Sequence, residues 1–488
     1  MKTETIALSL ISHTNVGKTT LARTLLGRDV GEVRDAPHVT TEAMAWPLLA
    51  SPAGDHLMLW DTPGFGDSAR LARRLGQQGK PIGWFLAEVW DRYRDRPFYL
   101  TQLAVRNVRD NADVVLYLVN AAEAPEDAGY LAPELAILGW MDKPVVVLLN
   151  QTGPPRPPEV EAAEIERWRS ALQPHGVVRA VRQLDAFARC WVQEFALLET
   201  IEAALYMPRR PAFARLATTW RALRWAQFDE AMSILAAPLA AAVAARVALP
   251  QTPMLRRIGE AIGVAPAGGD SNEARALRAL AQQLDGDLRT CMDRLIGVYG
   301  LEGRAAAEVE ARVAANVVTD VRVDEGKAAA MGGIVSGAVT GLAADIASGG
   351  LTFGAGMLTG AVLGALGGAG IARGVNVARG RTEDAVRWED DFLHELLATL
   401  LLRYLAVAHY GRGRGEWKAS EYPPFWRARV LAVLAEKNIR IAALWAMRSP
   451  ALEAADRSAA AQQLLAEAAR TLLDDLYPPS PATPDGGA

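Results

Sequence analysis

An apolar run from Ile6 to Ile11 breaks directly into Ser12-His13-Thr14-Asn15-Val16-Gly17-Lys18-Thr19-Thr20, and no other feature of this 488-residue chain restricts its fold so tightly. A loop of this kind wraps a phosphate with backbone N–H groups at a helix N-terminus, spans the outer phosphates with a lysine and offers a hydroxyl to a metal ion. Gly17, Lys18 and Thr19 supply the close backbone approach, the ammonium and the hydroxyl in that order. A second apolar run ends in Asp61-Thr62-Pro63-Gly64, which sets a carboxylate at a strand end where the same metal can use it. The loop works only with a strand before it and a helix after it, so the N-terminal part is committed to an α/β fold.

The remaining runs agree with that fold. Strands are predicted from Ile6 to Ile11, Ala43 to Ala50, His56 to Asp61, Asp113 to Asn120, Pro144 to Asn150 and Val177 to Leu184. Several are apolar throughout, as strands covered on both faces must be. Ser51-Pro52-Ala53-Gly54-Asp55 reads as a hairpin turn between the second and third. The expectation is a P-loop domain over residues 1–207, a doubly wound and mostly parallel sheet with one antiparallel edge, binding its ligand at the strand C-terminal ends.

The chain exceeds one ordinary core, so more than one domain is expected. A net charge of −4 with 50% apolar residues suits a globular protein and argues against a broad nucleic-acid footprint. Cys190 and Cys291 lie far apart and build neither a disulfide framework nor a zinc cluster, which points to a reducing cytosol. The opening Met1-Lys2-Thr3-Glu4 lacks the basic lead of a signal peptide.

Asn15-Val16-Gly17-Lys18-Thr19, Val39-Thr40 and Asp61-Thr62-Pro63-Gly64 together resemble the Era/TrmE branch of bacterial P-loop GTPases. The resemblance implies GTP and GDP as ligands, Mg2+ as cofactor and GTP hydrolysis as activity. It wraps Ser12, Thr14, Asn15, Val16, Gly17, Lys18, Thr19 and Thr20 around the phosphates. Lys18 would hold the outer phosphates, Thr19 would ligate Mg2+ directly and Asp61 would reach it through water. Gly64 would give its N–H to the γ-phosphate. Thr40 would close over metal and phosphate, with Thr41 as the rival register.

The chain departs from that pattern in ways that bear on chemistry. Ser12 stands where the loop usually opens with glycine. The base-reading motif is Asn150-Gln151-Thr152-Gly153, without the aspartate that would accept guanine's N1–H and N2–H. Asn150 can still contact the base, and Asp185 either supplies a carboxylate or caps a helix beginning near Ala186. Phe65 replaces a water-orienting glutamine, which implies slow hydrolysis. Asn15 matches the asparagine that helps hold K+ when two such domains meet, or it is a loop asparagine bonding its own backbone. The first alternative predicts hydrolysis stimulated by potassium or by a homodimer of the N-terminal domain. His13 and His38 have no acid nearby in sequence and read as solvated loop residues. Trp84, Phe85, Val89, Trp90 and Tyr93 fall near helical spacing, as an added core helix or a partner surface.

After Met207-Pro208-Arg209-Arg210-Pro211 the texture turns to an all-α domain. Helices are predicted over residues 212–247, 253–263, 272–299, 303–322, 383–410, 423–445 and 450–476, and the tail at 477–488 reads as disordered. Gly300-Leu301-Glu302-Gly303, without a basic surround, reads as an interhelical turn. Residues 328–372 carry one charge, Asp345, and place glycines four apart at 333, 337 and 341 and at 356, 360, 364 and 368. That spacing lets two helix backbones approach closely, so a glycine-zipper hairpin is expected, with arms of about 20 residues that match a hydrocarbon layer about 30 Å thick. Its poverty in Leu, Ile and Phe makes insertion only marginally favourable. The alternative is a hairpin buried in protein. The two domains together resemble a group of bacterial GTPases with a glycine-rich C-terminal hairpin.

The reading that follows is a GTP-hydrolysing switch coupled to a helical domain that contacts membrane lipid through residues 328–372, at the inner face of the cell membrane. A nucleotide-binding scaffold with little turnover is the first alternative. An RNA or ribosome-assembly GTPase is the second, disfavoured by the charge; no DNA partner is expected.

Overall fold

The computed structural model describes residues 3–28, 30, 43–76, 95–248, 272–301, 375–379, 384–410, 423–449 and 451–478. Thr40, Thr41, His38, the aromatic stripe at 84–93, the helices expected at 253–263 and 303–322, the hairpin at 328–372 and the tail from 479 lie outside the described residues. The chain divides into two compact units, one of residues 1–226, 408–418 and 473–488, the other of residues 227–407 and 419–472.

The first unit is built on a six-stranded sheet in the order β2-β3-β1-β4-β5-β6. Its strands are β1 (Thr5–Ser12), β2 (Met44–Ala50), β3 (His56–Asp61), β4 (Val114–Asn120), β5 (Val145–Asn150) and β6 (Val178–Gln183). All neighbours run parallel except β2, which lies antiparallel on β3 at the edge. Strands β4 and β5 are near-continuous apolar runs ending in Asn120 and Asn150 because helices cover both faces, and every residue from Val114 to Val119 and from Val145 to Asn150 is buried. The edge strand β2 is mostly exposed and shifts register after Pro47, where the missing N–H does no harm. Gly54, at φ 87°, turns β2 into β3, with its N–H on the Ser51 carbonyl.

Helices α1 (Lys18–Leu26), α2 (Ser68–Leu75), α3 (Arg96–Asn111), α4 (Leu131–Gly139), α5 (Pro158–Leu172) and α6 (Trp191–Ala204) pack around the sheet. Phe65, Leu71, Phe98, Val105, Tyr117 and Leu135 belong to the core on one side of it. The parallel register aligns the C-terminal ends of β1, β3, β4 and β5, pairing Leu10 with Asp61 and Asn120 with Asn150. Ser12, Asp61 and Asn150 thus end their strands on one rim.

A 3-10 turn at Met207–Arg209 leads into α7 (Arg210–Ala244). Late residues also belong to the first unit: Tyr410 makes an isolated antiparallel bridge with Ala188, and His409 stacks on Tyr477.

The second unit holds the remainder of α7, α8 (Asn272–Val298), most of α9 (Asp390–Ala408), α10 (Pro424–Glu436), α11 (Asn438–Ala446) and most of α12 (Ala454–Leu476). The region is helical, with one departure. A small antiparallel sheet in the order β7-β9-β8 joins Arg246–Ala248, Asp384–Trp388 and Val375–Arg379. Residues 384–388, expected as the start of a helix, are therefore a strand, and α9 starts only at Asp390. The helix expected over 423–445 breaks into α10 and α11 at Lys437. Gly300, at φ 62°, ends α8, with the Leu301 N–H reaching back to the Ile296 carbonyl, so the described half of Gly300–Gly303 closes a helix. No helix among the described residues is long and apolar enough to cross a membrane.

Candidate functional site: a phosphate and metal cradle

The loop between β1 and α1 is shaped by two left-handed residues, Asn15 at φ 63° and Gly17 at φ 92°. Only glycine fits at the second, because a Cβ on Gly17 would stand 2.8 Å from Asn150 Nδ2. Asn150 is fully buried at the end of β5 and acts as a clamp. Its Nδ2 donates to the Val16 carbonyl at 2.6 Å, and its Oδ1 accepts from the Ala186 N–H at 2.8 Å. One amide thus fastens the phosphate loop to the loop after β6.

Lys18 opens α1 and folds back along the loop, its Nζ donating to Ser12 Oγ at 2.8 Å. Serine at the loop's first position is accommodated because its hydroxyl donates to the His13 carbonyl while receiving this ammonium. Burial lowers the Lys18 pKa, and the charges of Asp61 and Glu134 work in the opposite sense. Thr19 Oγ1 donates to Asp61 Oδ2 at 2.6 Å. Burial pushes the Asp61 carboxyl up, against the pull of the Thr19 hydroxyl and the Lys18 ammonium. The other oxygen, Asp61 Oδ1, is buried and has no hydrogen-bond partner. A hydroxyl bonded to a carboxylate with one orphaned oxygen is the hard-oxygen donor set that fits Mg2+, which keeps several of its own waters. Among the described residues no three His, Cys, Asp or Glu side chains gather at a point to hold a metal.

The Asp61–Gly64 segment lies along this loop. Thr62 Oγ1 donates to the Leu10 carbonyl at 2.6 Å and the Phe65 N–H to the Ser12 carbonyl at 3.0 Å. A Cβ on Gly64 would stand 3.2 Å from both Lys18 Nζ and Thr14 Cα, so the backbone there is as close to the cradle as it can come. Phe65 turns wholly into the core.

His13 is a correction to the sequence reading. Its Nδ1 sits 2.7 Å from Glu134 Oε1 and its ring stacks on Tyr130 with centroids 4.7 Å apart. Glu134 is fully buried, takes the Tyr117 hydroxyl on Oε2 at 2.7 Å, and is bonded by Ser68 at the start of α2. Burial pushes its carboxyl up, while His13, Tyr117 and Ser68 oppose the shift. The sequence held one signal for this group, an acid amid the apolar residues of Leu131–Gly139.

Asp185 likewise differs from expectation. No helix begins near Ala186; α6 starts at Trp191, capped by Cys190. Asp185 is buried and braces the loop after β5, its Oδ2 accepting from Thr152 N and Oγ1 at 2.6 and 3.0 Å and its Oδ1 from Phe187 N at 2.7 Å. Thr20 is buried in the first turn of α1. Thr40 is not among the described residues.

Residues 171–466 match the model of a family described as a domain of unknown function, DUF3482, a span of more than half the chain. The chain belongs to that family. In this DUF3482 chain the matched span begins inside α5, and residues 8–151 separately match a model described as a 50S ribosome-binding GTPase. That second span runs from β1 to just past β5 and includes the whole cradle. No curated protein matches the chain. Two solved structures of Era are similar to it. One, in complex with MgGDPNP and part of 16S ribosomal RNA, is 17% identical with a TM-score of 0.30, over 42% of this chain and 58% of that one. The other, from Aquifex aeolicus and bound to GDP and aluminium fluoride, is 18% identical with a TM-score of 0.30, over 41% and 57%. A structure of chloroplast translocon GTPases is 12% identical with a TM-score of 0.23, over 38% and 72%. The chain thus spans less than two thirds of either Era chain.

Proposed function

We propose that the first unit binds GTP and GDP with Mg2+ and hydrolyses GTP slowly, and that its nucleotide state is communicated to the helical region. The observation that carries this reading is the Thr19–Asp61 pair with its orphaned buried Oδ1, set beside a buried Lys18 in a phosphate loop. Bound Mg2+ would supply positive charge for the outer phosphate oxygens. Thr19 would give that ion a hydroxyl and Asp61 a carboxylate, whose burial penalty the ion's charge would offset. Lys18 leaves Ser12 Oγ for the outer phosphates. The Gly64 backbone lies beside Lys18, and a contact of its N–H with the terminal phosphate would distinguish triphosphate from diphosphate. Phe65 leaves no group at its position to orient water, which keeps turnover slow.

Isothermal titration with GTP and Mg2+, paired with single-turnover hydrolysis, tests the reading. Lys18→Ala is expected to abolish binding, and Thr19→Ala to remove the part of the affinity that depends on Mg2+. No heat with wild type at millimolar nucleotide would overturn the proposal.

Finer parts rest on sequence. Thr40 closes over metal and phosphate, and Asn15, already left-handed, contributes to a K+ site in a homodimer. Residues 328–372 contact membrane lipid at the inner face of the cell membrane through their glycine-lined arms.

A further inference from the structure

We propose that this site takes guanosine and adenosine triphosphates with similar affinity, because the rim that faces the base is hydrogen-bonded to itself and leaves no carboxylate to read guanine. The inference rests on the nucleotide-binding reading above and names its substrate class.

Guanine offers two adjacent donors, N1–H and N2–H, whereas adenine offers a donor beside an acceptor. Strong discrimination therefore needs a fixed acceptor pair, and a site built around one rejects the wrong partner by about 10⁴-fold. In an open α/β sheet the ligand lies across the strand C-terminal ends. The Asn150 clamp ties the loops after β5 and β6 to the phosphate loop, so those two loops form the far end of the crevice.

The side chains of Asn150, Thr152, Asp185 and Glu161 there are already engaged. Asn150 uses both ends of its amide. Thr152 Oγ1 donates to Asp185 and accepts from Gln183 Nε2 at 3.2 Å. Asp185 has both oxygens on Thr152 and Phe187 and is 1% exposed. Glu161, the neighbouring acid, takes the Arg156 N–H at 3.0 Å and the Gln183 side chain. Gln151 reaches the Asn15 carbonyl at 3.5 Å, and its amide, donor and acceptor in one, suits either purine. Gly153 stands at φ 80° with no atom within 4 Å of where a Cβ would be, an open place with no side chain. Affinity then comes from the phosphates and the metal, which both nucleotides share.

The test is competition for a fluorescent nucleotide by GTP and by ATP, with Mg2+ and the full chain. Wild type is expected to bind the two within tenfold. Asp185→Asn is expected to weaken both by the same factor, as a loop brace would. Gly153→Asp, which installs an acceptor in open space but on a backbone strained at φ 80°, is expected to move the ratio at least tenfold toward GTP. A wild-type preference for GTP above tenfold, or an Asp185→Asn variant that loses GTP alone, overturns the inference and leaves GTP binding standing. An unmoved ratio in Gly153→Asp overturns the placement of the base beside that residue. Binding of neither nucleotide overturns the underlying reading as well.

Discussion

Glu134 is fully buried beside the phosphate loop, in contact with His13. It persists there because Tyr117 Oη, His13 Nδ1 and Ser68 all donate to it. Glu134→Ala strands the Tyr117 hydroxyl in the core and should cost about 1–3 kcal/mol, read from the urea midpoint. Tyr117→Phe leaves Glu134 Oε2 without that donor in the core and should also cost about 1–3 kcal/mol. The meeting of Lys18 with Ser12 and of Thr19 with Asp61 was legible in the sequence because the residues are local or follow a fixed spacing. Glu134 was not, since its partner His13 lies 121 residues away and nothing local marks the pair.

Strands and loops tell a similar story at the next scale. All six strands of the large sheet lie where the sequence runs put them, and for β4 and β5, covered on both faces, a near-unbroken apolar run marks the strand. The small sheet escaped notice. Its central strand, Asp384–Trp388, pairs with residues 246–248 and 375–379, and five residues carry too little periodicity to separate a strand from the first turn of a helix. The helix start that Asp185 could have marked is absent for a related reason: an Asx turn and a helix N-cap both place a carboxylate on a nearby N–H, and the structure shows the turn. The Asn150 clamp makes a prediction for the loops as elements. Asn150→Ala leaves the Ala186 N–H and the Val16 carbonyl without their partners. It should lower stability by about 1–3 kcal/mol and weaken GTP and ATP alike, with both measured on the same preparation.

On the scale of the whole chain, Arg215 near the start of α7 grips Asp55 in the turn between β2 and β3, with Nε–Oδ2 at 2.7 Å and Nη2–Oδ1 at 2.9 Å. The guanidinium beside Asp55 holds its carboxyl well below the usual carboxylate range, helped by Ser51 and the Glu4 N–H. A carboxyl depressed in the folded state stabilises fully above its unfolded pKa of about 3.9 and loses that contribution as pH falls through its folded value. Asp55→Asn should therefore melt below wild type at pH 7, and the gap should begin to close below about pH 4. For residues 328–372, liposome flotation of wild type against a deletion of that segment tests the lipid contact: only wild type should float. The helical character of the C-terminal half was legible from composition. The return of residues 408–410 and 473–478 to the first unit was not, because composition says nothing of which distant stretches meet.

That return has a consequence for synthesis. Ala188 bridges Tyr410, and His409 stacks on Tyr477, which lies about 250 residues beyond Ala226. At roughly 5–20 residues per second the ribosome takes on the order of 12–50 s to cover that stretch. Through that interval the nascent first unit lacks its last pieces, and a fragment cut after residue 226 would stay in that unfinished state.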